Sequence, residues 1–322
     1  MFKTVKNSIE RFNEAASFTG PRIRKQLYAL PKEIKADTSE IRIRCGRPVM
    51  LNGMYGDIFL CENAKISFIP DSSVCRVSIN DIEQCFHTVC GYSVHTHQSG
   101  ICKGFVTLSG GHRAGIAGTA VCDKNGVSSI RDISSINIRI SREYIGCADY
   151  LFKKVKENKT KSLIVAGTPS SGKTTLLRDF ARIIAGEEGG YRKTVIIDER
   201  EEIAACSNGI PGNNIGISSD VLNGYPKKEA VLIAVRSMAP QNIIIDEIGS
   251  VEEAAAIEEG VNTGVDFFLS IHAANESDLL RRPQISRLLN TGAFSHVAFL
   301  SGRHMPSQVN RFISVEDLKC LN

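Results

Sequence analysis

The segment Gly167-Thr-Pro-Ser-Ser-Gly-Lys-Thr174 fits the spacing G-x-x-x-x-G-K-[ST] at every position. Residues of these types at this spacing wrap phosphate. Gly167 and Gly172 let the backbone curl so that successive amides converge on phosphate oxygens. Lys173 reaches the β- and γ-phosphates, and Thr174 offers its hydroxyl to Mg²⁺. Thr168, Pro169, Ser170 and Ser171 complete the loop, and Thr175 follows it. A chance glycine turn has no need of defined flanks. Here an apolar run (SLIVA) reads as a strand before the loop, and TTLLRDFARIIA reads as a helix after it. The helix N-terminus adds a favourable dipole for an anion.

A second segment, Asn242-Ile-Ile-Ile-Asp246-Glu247, ends an apolar strand in two carboxylates. Acidic strand ends are common by themselves. Downstream of a phosphate loop they acquire a chemical role. Asp246 holds Mg²⁺ through water, and Glu247 orients or deprotonates the attacking water. A glutamate directly after the aspartate favours hydrolysis over mere binding. A third cluster, Asp198-Glu199-Arg200-Glu201-Glu202, follows another apolar run. Asp198 or Glu199 is expected to position water or Mg²⁺, while Glu201 and Glu202 read as surface. The plainer alternative is a solvated helix start, where acids favour the dipole.

His272, in Ser270-Ile-His272, also falls at a strand end. It is expected to sense the γ-phosphate or to order the acidic residues, against the alternative of a buried, satisfied histidine. Charge on a transferring γ-phosphate calls for arginine. The candidates are Arg113, Arg131, Arg139, Arg142 and Arg236, each of which has a surface or structural reading as well. Cys85, His87, Cys90, His95, His97 and Cys102 crowd together, but their spacing matches no standard zinc finger and they lack a paired C-x-x-C, so no zinc site is expected.

These residues need a scaffold, and the hydropathy pattern supplies one. Strands are expected at Ser162–Ala166, Thr194–Asp198, Asn242–Asp246 and Val265–Ile271, mostly continuous apolar runs of the kind buried on both faces of a parallel sheet. Helices are expected at Lys173–Ala185, Lys227–Met238 and Val251–Asn262. The extra strand between the two phosphate-site motifs makes this an additional-strand P-loop domain, similar to RecA and AAA+ proteins. A terminal hairpin is expected between His296–Ser301 and Val309–Val315.

Residues 1–143 read differently, as a smaller mixed α/β domain. The pattern predicts a helix near Lys3–Ala16, strands at Glu40–Arg44 and Pro48–Leu51, a helix near Asp81–Cys90, a glycine-rich β stretch over Gly104–Val121, and a strand at Ile136–Ile140. The helical, then highly charged stretch Tyr144–Lys161 opens the second domain, residues 144–322.

Composition narrows the class. A chain of 322 residues, 42% hydrophobic and 23% charged, can bury two cores and is not disordered over most of its length. A formal charge of +4 is too small to argue for nucleic acid, and no apolar run approaches the ~18 residues of a membrane span. The opening MFKTVKNSIERFNEAASF has no apolar signal core, so the ten cysteines read as reduced thiols in a cytoplasm.

Several longer segments carry a resemblance: EIRIRCGRP at Glu40–Pro48, GFVTLSGGHRAGIAGTAV at Gly104–Val121, SSINIRISRE at Ser134–Glu143, IIDEREEIA, and VLNGYPKKEAVLIAVRSMAPQNIIIDEIG. Together they resemble the stage III sporulation protein AA family of endospore-forming bacteria, over about residues 20–315. That family is similar to the ATPases of type II and type IV secretion and to pilus motors. The resemblance implies a hexameric RecA-like ATPase using ATP and Mg²⁺, with nucleotide at subunit interfaces. It matches Asp198-Glu199 to an acidic box and His272 to a histidine box. It supports Arg139, with Arg131, as arginines that approach a neighbour's nucleotide. It implies a mother-cell cytoplasmic protein that powers a channel complex to the forespore, peripheral to the membrane through the membrane proteins of the same stage III sporulation operon. The chain departs from the pattern at Asp246 (glycine in secretion ATPases), at Ser218-Ser219-Asp220 (Arg-Thr-Asp) and at Pro306-Ser307 (Pro-Gly). Two other readings stand beside it: a nucleic-acid-linked ATPase, disfavoured by the absence of a basic patch with interleaved aromatics, and a nucleotide-gated scaffold with little turnover.

Overall fold

A computed structural model describes residues 8–320 apart from 55, 92 and 125. The chain divides into two compact units. One runs up to Glu143 and includes the short segment Cys206–Gly212; the other comprises Tyr144–Ala205 and the chain from Asn213 onward.

The first unit is built on an antiparallel sheet of seven strands: β1 (Glu40–Arg44), β2 (Met50–Gly53), β3 (Gly56–Leu60), β4 (Ile66–Ser67), β5 (Phe105–Thr107), β6 (Arg113–Asp123) and β7 (Gly126–Arg139), in the order β4-β3-β2-β1-β7-β6-β5. The helices are α1 (Ser8–Ala16), α2 (Pro21–Tyr28), α3 (Lys32–Asp37), α4 (Ile79–Val89) and α5 (Gln98–Cys102). The expected opening helix is present from Ser8; its Lys3–Asn7 portion lies outside the described residues. In β1 the alternation of EIRIR puts Ile41 and Ile43 into the core with Phe12, Ile23 and Leu27. α4 starts where its capping residues dictate. Ser78 accepts from the Asp81 amide at 3.2 Å, and Asp81 accepts from the Ser78 amide at 2.8 Å. The glycine-rich stretch becomes β5 and the first strand of a long hairpin, β6–β7, whose outer part is exposed.

The second unit carries β8 (Ser162–Gly167), β9 (Thr194–Asp198), β10 (Ser219–Asn223), β11 (Asn242–Ile245), β12 (Asp266–His272), β13 (Phe294–Leu300) and β14 (Val309–Ser314), in the order β10-β9-β11-β12-β8-β13-β14. Six strands run parallel and β14 closes the edge as the antiparallel hairpin partner of β13. Helices α6 (Asp149–Glu157), α7 (Lys173–Ile184), α8 (Lys227–Ile233), α9 (Val251–Val261), α10 (Glu276–Leu280), α11 (Pro283–Asn290) and α12 (Val315–Cys320) connect or flank them. Ile243, Ile244 and Ile245 are wholly buried, as both-face burial of a parallel strand requires. The helix expected over Lys227–Met238 is α-helical only to Ile233 and ends in a π-helical turn, Ala234–Met238. Across the two units the sequence pattern missed β3, β4 and the polar edge strand β10, and the short helices α2, α3, α5, α10, α11 and α12.

One ordering matters for the site. The strand lying between β8 and β11 is β12, while β9 lies beyond β11. Brought between the phosphate loop and the acidic strand end is therefore the segment that carries Ser270 and His272. Among the described residues no helix is long and apolar enough to cross a membrane.

Candidate nucleotide site

The loop after β8 turns through a left-handed Ser170 (φ 61°) and a left-handed Gly172 (φ 85°) into α7. A side chain at Gly172 has no room: its Cβ would lie 2.4 Å from Ser307 Oγ and 2.5 Å from the Ser307 amide nitrogen. Gly172 is also the N-cap of α7, and no side chain caps that end. The first-turn amides of a twelve-residue helix are thus left for an anion. Ser307, in the turn between β13 and β14, holds the loop from outside. Its amide donates to the Ser171 carbonyl at 2.8 Å and its hydroxyl to the Gly172 carbonyl at 3.0 Å.

Lys173 is buried and folds over this curl, donating to the carbonyls of Gly167 and Thr168, each at 3.0 Å. Its Nζ also lies 3.0 Å from His272 Nδ1. Burial pushes the ammonium below its ordinary pKa, with the charges of Asp246 and Glu247 pulling the other way. An ammonium has no acceptor, so Nδ1 accepts and the Nε2–H faces outward. That Nε2 lies 3.2 Å from Glu247 Oε1, so His272 joins the phosphate lysine to the glutamate.

Thr174 donates to Asp246 Oδ2 at 2.5 Å, and Ser270 donates to Asp246 Oδ1. The Glu247 amide in turn donates to Ser270 Oγ at 2.8 Å. Glu247 is held at φ 57°, in the left-handed region that non-glycine residues enter at a cost and that recurs at functional sites. Hard oxygen donors, a hydroxyl and a carboxylate, converge beside a phosphate cradle; this donor set fits Mg²⁺, which binds through one or two carboxylates plus phosphate oxygens. Ser270 escaped the sequence reading. Its only signal in the sequence is a serine interrupting an apolar run, next but one to His272; the structure buries it fully.

The third acidic cluster is arranged differently from the expectation. The Asp198 side chain turns back into its own loop. Oδ1 accepts from the amides of Glu202 (2.8 Å) and Ile203 (3.1 Å), and Oδ2 from Ile203 (3.1 Å), Ala204 (2.8 Å) and Ala205 (3.2 Å). Glu199 is drawn to Lys227, whose side chain is 7% exposed and whose ammonium lies 2.8 Å away. Neither side chain is brought to Lys173, Thr174 or Asp246 by any of these bonds. Arg200, which the sequence reading passed over, is the member of the cluster that reaches the centre: its Nη1 pairs with Glu247 Oε2.

The five candidate arginines have separate surroundings. Arg139 is 72% exposed beside Glu40 at 3.7 Å, and Arg131 is 70% exposed beside Asp132 at 3.5 Å. Arg142 donates to the carbonyls of Ala36 and Thr38, and Arg113 stacks on Phe105. Arg236 pairs with Glu259 at the surface.

A cavity of about 850 Å³ opens beside the loop, lined among others by Thr175, Tyr144, Cys147, Tyr150, Met305 and Val309. Its Gly146–Cys147 wall is fixed to α7 by buried Asp179, which accepts from the amides of Gly146 (2.9 Å) and Ala148 (2.8 Å).

A phosphate loop and an acidic strand end, separated by the strand bearing Ser270 and His272 in a mostly parallel sheet, define a RecA-like P-loop ATPase fold preceded by a second α/β unit. Solved structures of this class are similar. The ATPase DotB of Legionella pneumophila has a TM-score of 0.52 at 15% identity, covering 83% of this chain and 73% of its own. The pilus retraction motor PilT has a TM-score of 0.53 at 16% identity, covering 81% and 74%. The family described as "Sporulation stage III, protein AA" matches residues 10–316, and the chain belongs to it. The stage III sporulation protein AA of Bacillus subtilis (strain 168) is 35% identical over 301 residues, 93% of this chain and 94% of that one.

Proposed function

We propose that the chain is a Mg²⁺-dependent ATPase of the secretion-motor kind, working as a homo-hexamer during endospore formation. The observation that carries this reading is the unbroken set of contacts Lys173–His272–Glu247 and Thr174–Asp246–Ser270 around one phosphate loop. A scaffold that merely bound nucleotide would not need Glu247 held in a strained backbone and tied to the phosphate lysine through His272.

In this reading the backbone amides from Ser170 to Thr174, with the Lys173 ammonium, hold the β- and γ-phosphates. Thr174 and Asp246 would hold Mg²⁺, which would supply charge neutralisation on the phosphate oxygens. Glu247 orients the attacking water and takes its proton, while His272 reports the state of Lys173 to it. The cavity beside Thr175 takes the base and ribose between Tyr144, Tyr150 and the Met305–Val309 segment. Asp198 shapes the loop that carries Arg200, and Glu199 anchors it to α8 through Lys227. Arg139, assisted by Arg131, serves the nucleotide of a neighbouring subunit; this leaves both side chains exposed in a single chain, as they are. Residues 1–143 and 144–322 are the chain's two domains, and binding and release of the γ-phosphate drive a conformational cycle of the hexamer. The protein acts from the mother-cell cytoplasm, meets the membrane through stage III membrane proteins, and powers or assembles the channel to the forespore.

The test is ATP turnover per chain against protein concentration, with mass by light scattering on the same samples. Specific activity should climb as the multimer forms, Lys173→Ala should abolish turnover, and Glu247→Gln should retain ATP without releasing phosphate. Constant activity from a monomer would refute the shared site, and full turnover in Glu247→Gln would remove it as the base.

A further inference from the structure

We propose that Arg200 is a positioning residue for hydrolysis: it anchors Glu247 through Oε2 and thereby presents Oε1 to the phosphate side of the site. This rests on the ATPase reading above. The two oxygens of Glu247 face different ways. Oε1 meets His272, which in turn meets Lys173 and so marks the direction of the γ-phosphate. Oε2 meets Arg200, which comes from the turn after β9, on the far side of β11 from the phosphate loop. Held by His272 alone, a glutamate carboxylate that is 26% exposed can still pivot about that one contact, and a second contact at Oε2 fixes its orientation. Guanidinium is the donor best suited to pin it, because its geometry matches a carboxylate and its charge is permanent.

The turn that delivers Arg200 is itself built to hold still. Asp198 gathers the amides of residues 202–205 on one side of it. Arg178 of α7 donates to the carbonyls of Glu202 (2.5 Å) and Ile203 (3.0 Å). Glu199 is tied to buried Lys227. Since α7 begins in the phosphate loop, Arg178 couples the Arg200 turn to the same rigid helix that carries Lys173 and Thr174. An Asp-Glu-Arg order therefore has a physical division of labour. The aspartate folds the turn, the glutamate ties it to α8, and the arginine reaches the base.

The experiment compares wild type, Arg200→Ala, Arg200→Lys and Glu247→Gln, each alone and with Arg200→Ala added to Glu247→Gln, measuring kcat and KM for ATP, nucleotide binding and thermal midpoint. Misaligning a base without removing it costs about ten- to a hundredfold in rate. Arg200→Ala should therefore lose that factor in kcat with KM and nucleotide affinity within about twofold, Arg200→Lys should recover part of it, and Arg200→Ala should add nothing to Glu247→Gln. Unchanged or raised kcat in Arg200→Ala overturns the proposal, as does an additive loss in the double variant. A fall in thermal midpoint that Arg200→Lys reverses without recovering kcat also overturns it. If wild type itself releases no phosphate, it is the ATPase reading that fails; if wild type turns over and only Arg200→Ala behaves as wild type, the failure belongs to Arg200 alone.

Discussion

Replacing Asp198 by Asn separates a residue that shapes the site from one that acts in it. The substitution is nearly isosteric, and the carboxylate it replaces is 2% exposed with four backbone amides pointing at it. The amide side chain keeps one acceptor. Its better orientation puts that oxygen in place of Oδ2, which serves Ile203, Ala204 and Ala205, and sets an NH₂ against the Glu202 amide. Three charge-assisted bonds then become neutral ones, at roughly 0.5–1 kcal/mol each, and one donor loses its partner at about 1–2 kcal/mol. The sum is about 2.5–5 kcal/mol, a large share of the stability of a single domain. For a unit of this size that corresponds to a fall in thermal midpoint of ~5–20 °C. Calorimetry or circular dichroism melting should find it, together with nucleotide affinity retained well below the new midpoint. A midpoint within a degree or two of wild type, with turnover lost, would refute this reasoning and return Asp198 to the role of a water- or metal-positioning carboxylate.

Gly172→Ala should be costly for both fold and binding. It forces φ 85° on an L-residue and drives Cβ into the Ser307 amide and hydroxyl, so ATP affinity, read by fluorescent-nucleotide titration, should fall by about tenfold or more; normal binding would mean that the Ser307 clamp is dispensable. Arg139→Ala should bind ATP but not hydrolyse it, and mixing it with Glu247→Gln should restore part of the turnover if sites are shared between subunits; mixtures as inactive as their components would remove Arg139 as a trans-acting group. Burial pushes the thiols of Cys85 and Cys147 from 9.0 to about 12. Iodoacetamide at pH 8 should therefore mark exposed Cys45, Cys122 and Cys320 first. Because the unfolded chain gives up those two protons near pH 9 and the folded one does not, their contribution is whole below pH 9 and is lost as pH rises toward 12; equilibrium unfolding at pH 8 and pH 10 should register the loss, and equal stability at both would contradict it.

Most strands and the longer helices of the two units were legible because their signals are local. EIRIR alternates over five residues, and continuous runs such as NIII can be satisfied only by burial on both faces. What was misjudged were elements whose sequence gives no such signal. β10 is a polar edge strand recruited by its neighbour β9, and the Lys227–Met238 helix has a pattern that does not betray its terminal π turn. The arginines were legible as candidates only, since charge on a strand says nothing about what the strand faces.

The phosphate site shows the same boundary more sharply. The sequence alone determined the loop, because curling a backbone around phosphate needs glycine at fixed steps, a lysine and a threonine in one short stretch between a strand and a helix. It also determined that Asp246 and Glu247 close a strand. Only the tertiary structure decided which acids face Lys173 and Thr174. Sheet order put β12, with Ser270 and His272, between the loop and Asp246. Asp198, one residue from Glu199 and two from Arg200, was turned inward by four amides, Glu199 was drawn aside by buried Lys227, and Arg200 was sent to Glu247. A sequence specifies which groups are available, but a carboxylate is satisfied by whichever donors the fold brings nearest, and those donors come from segments far apart in the chain.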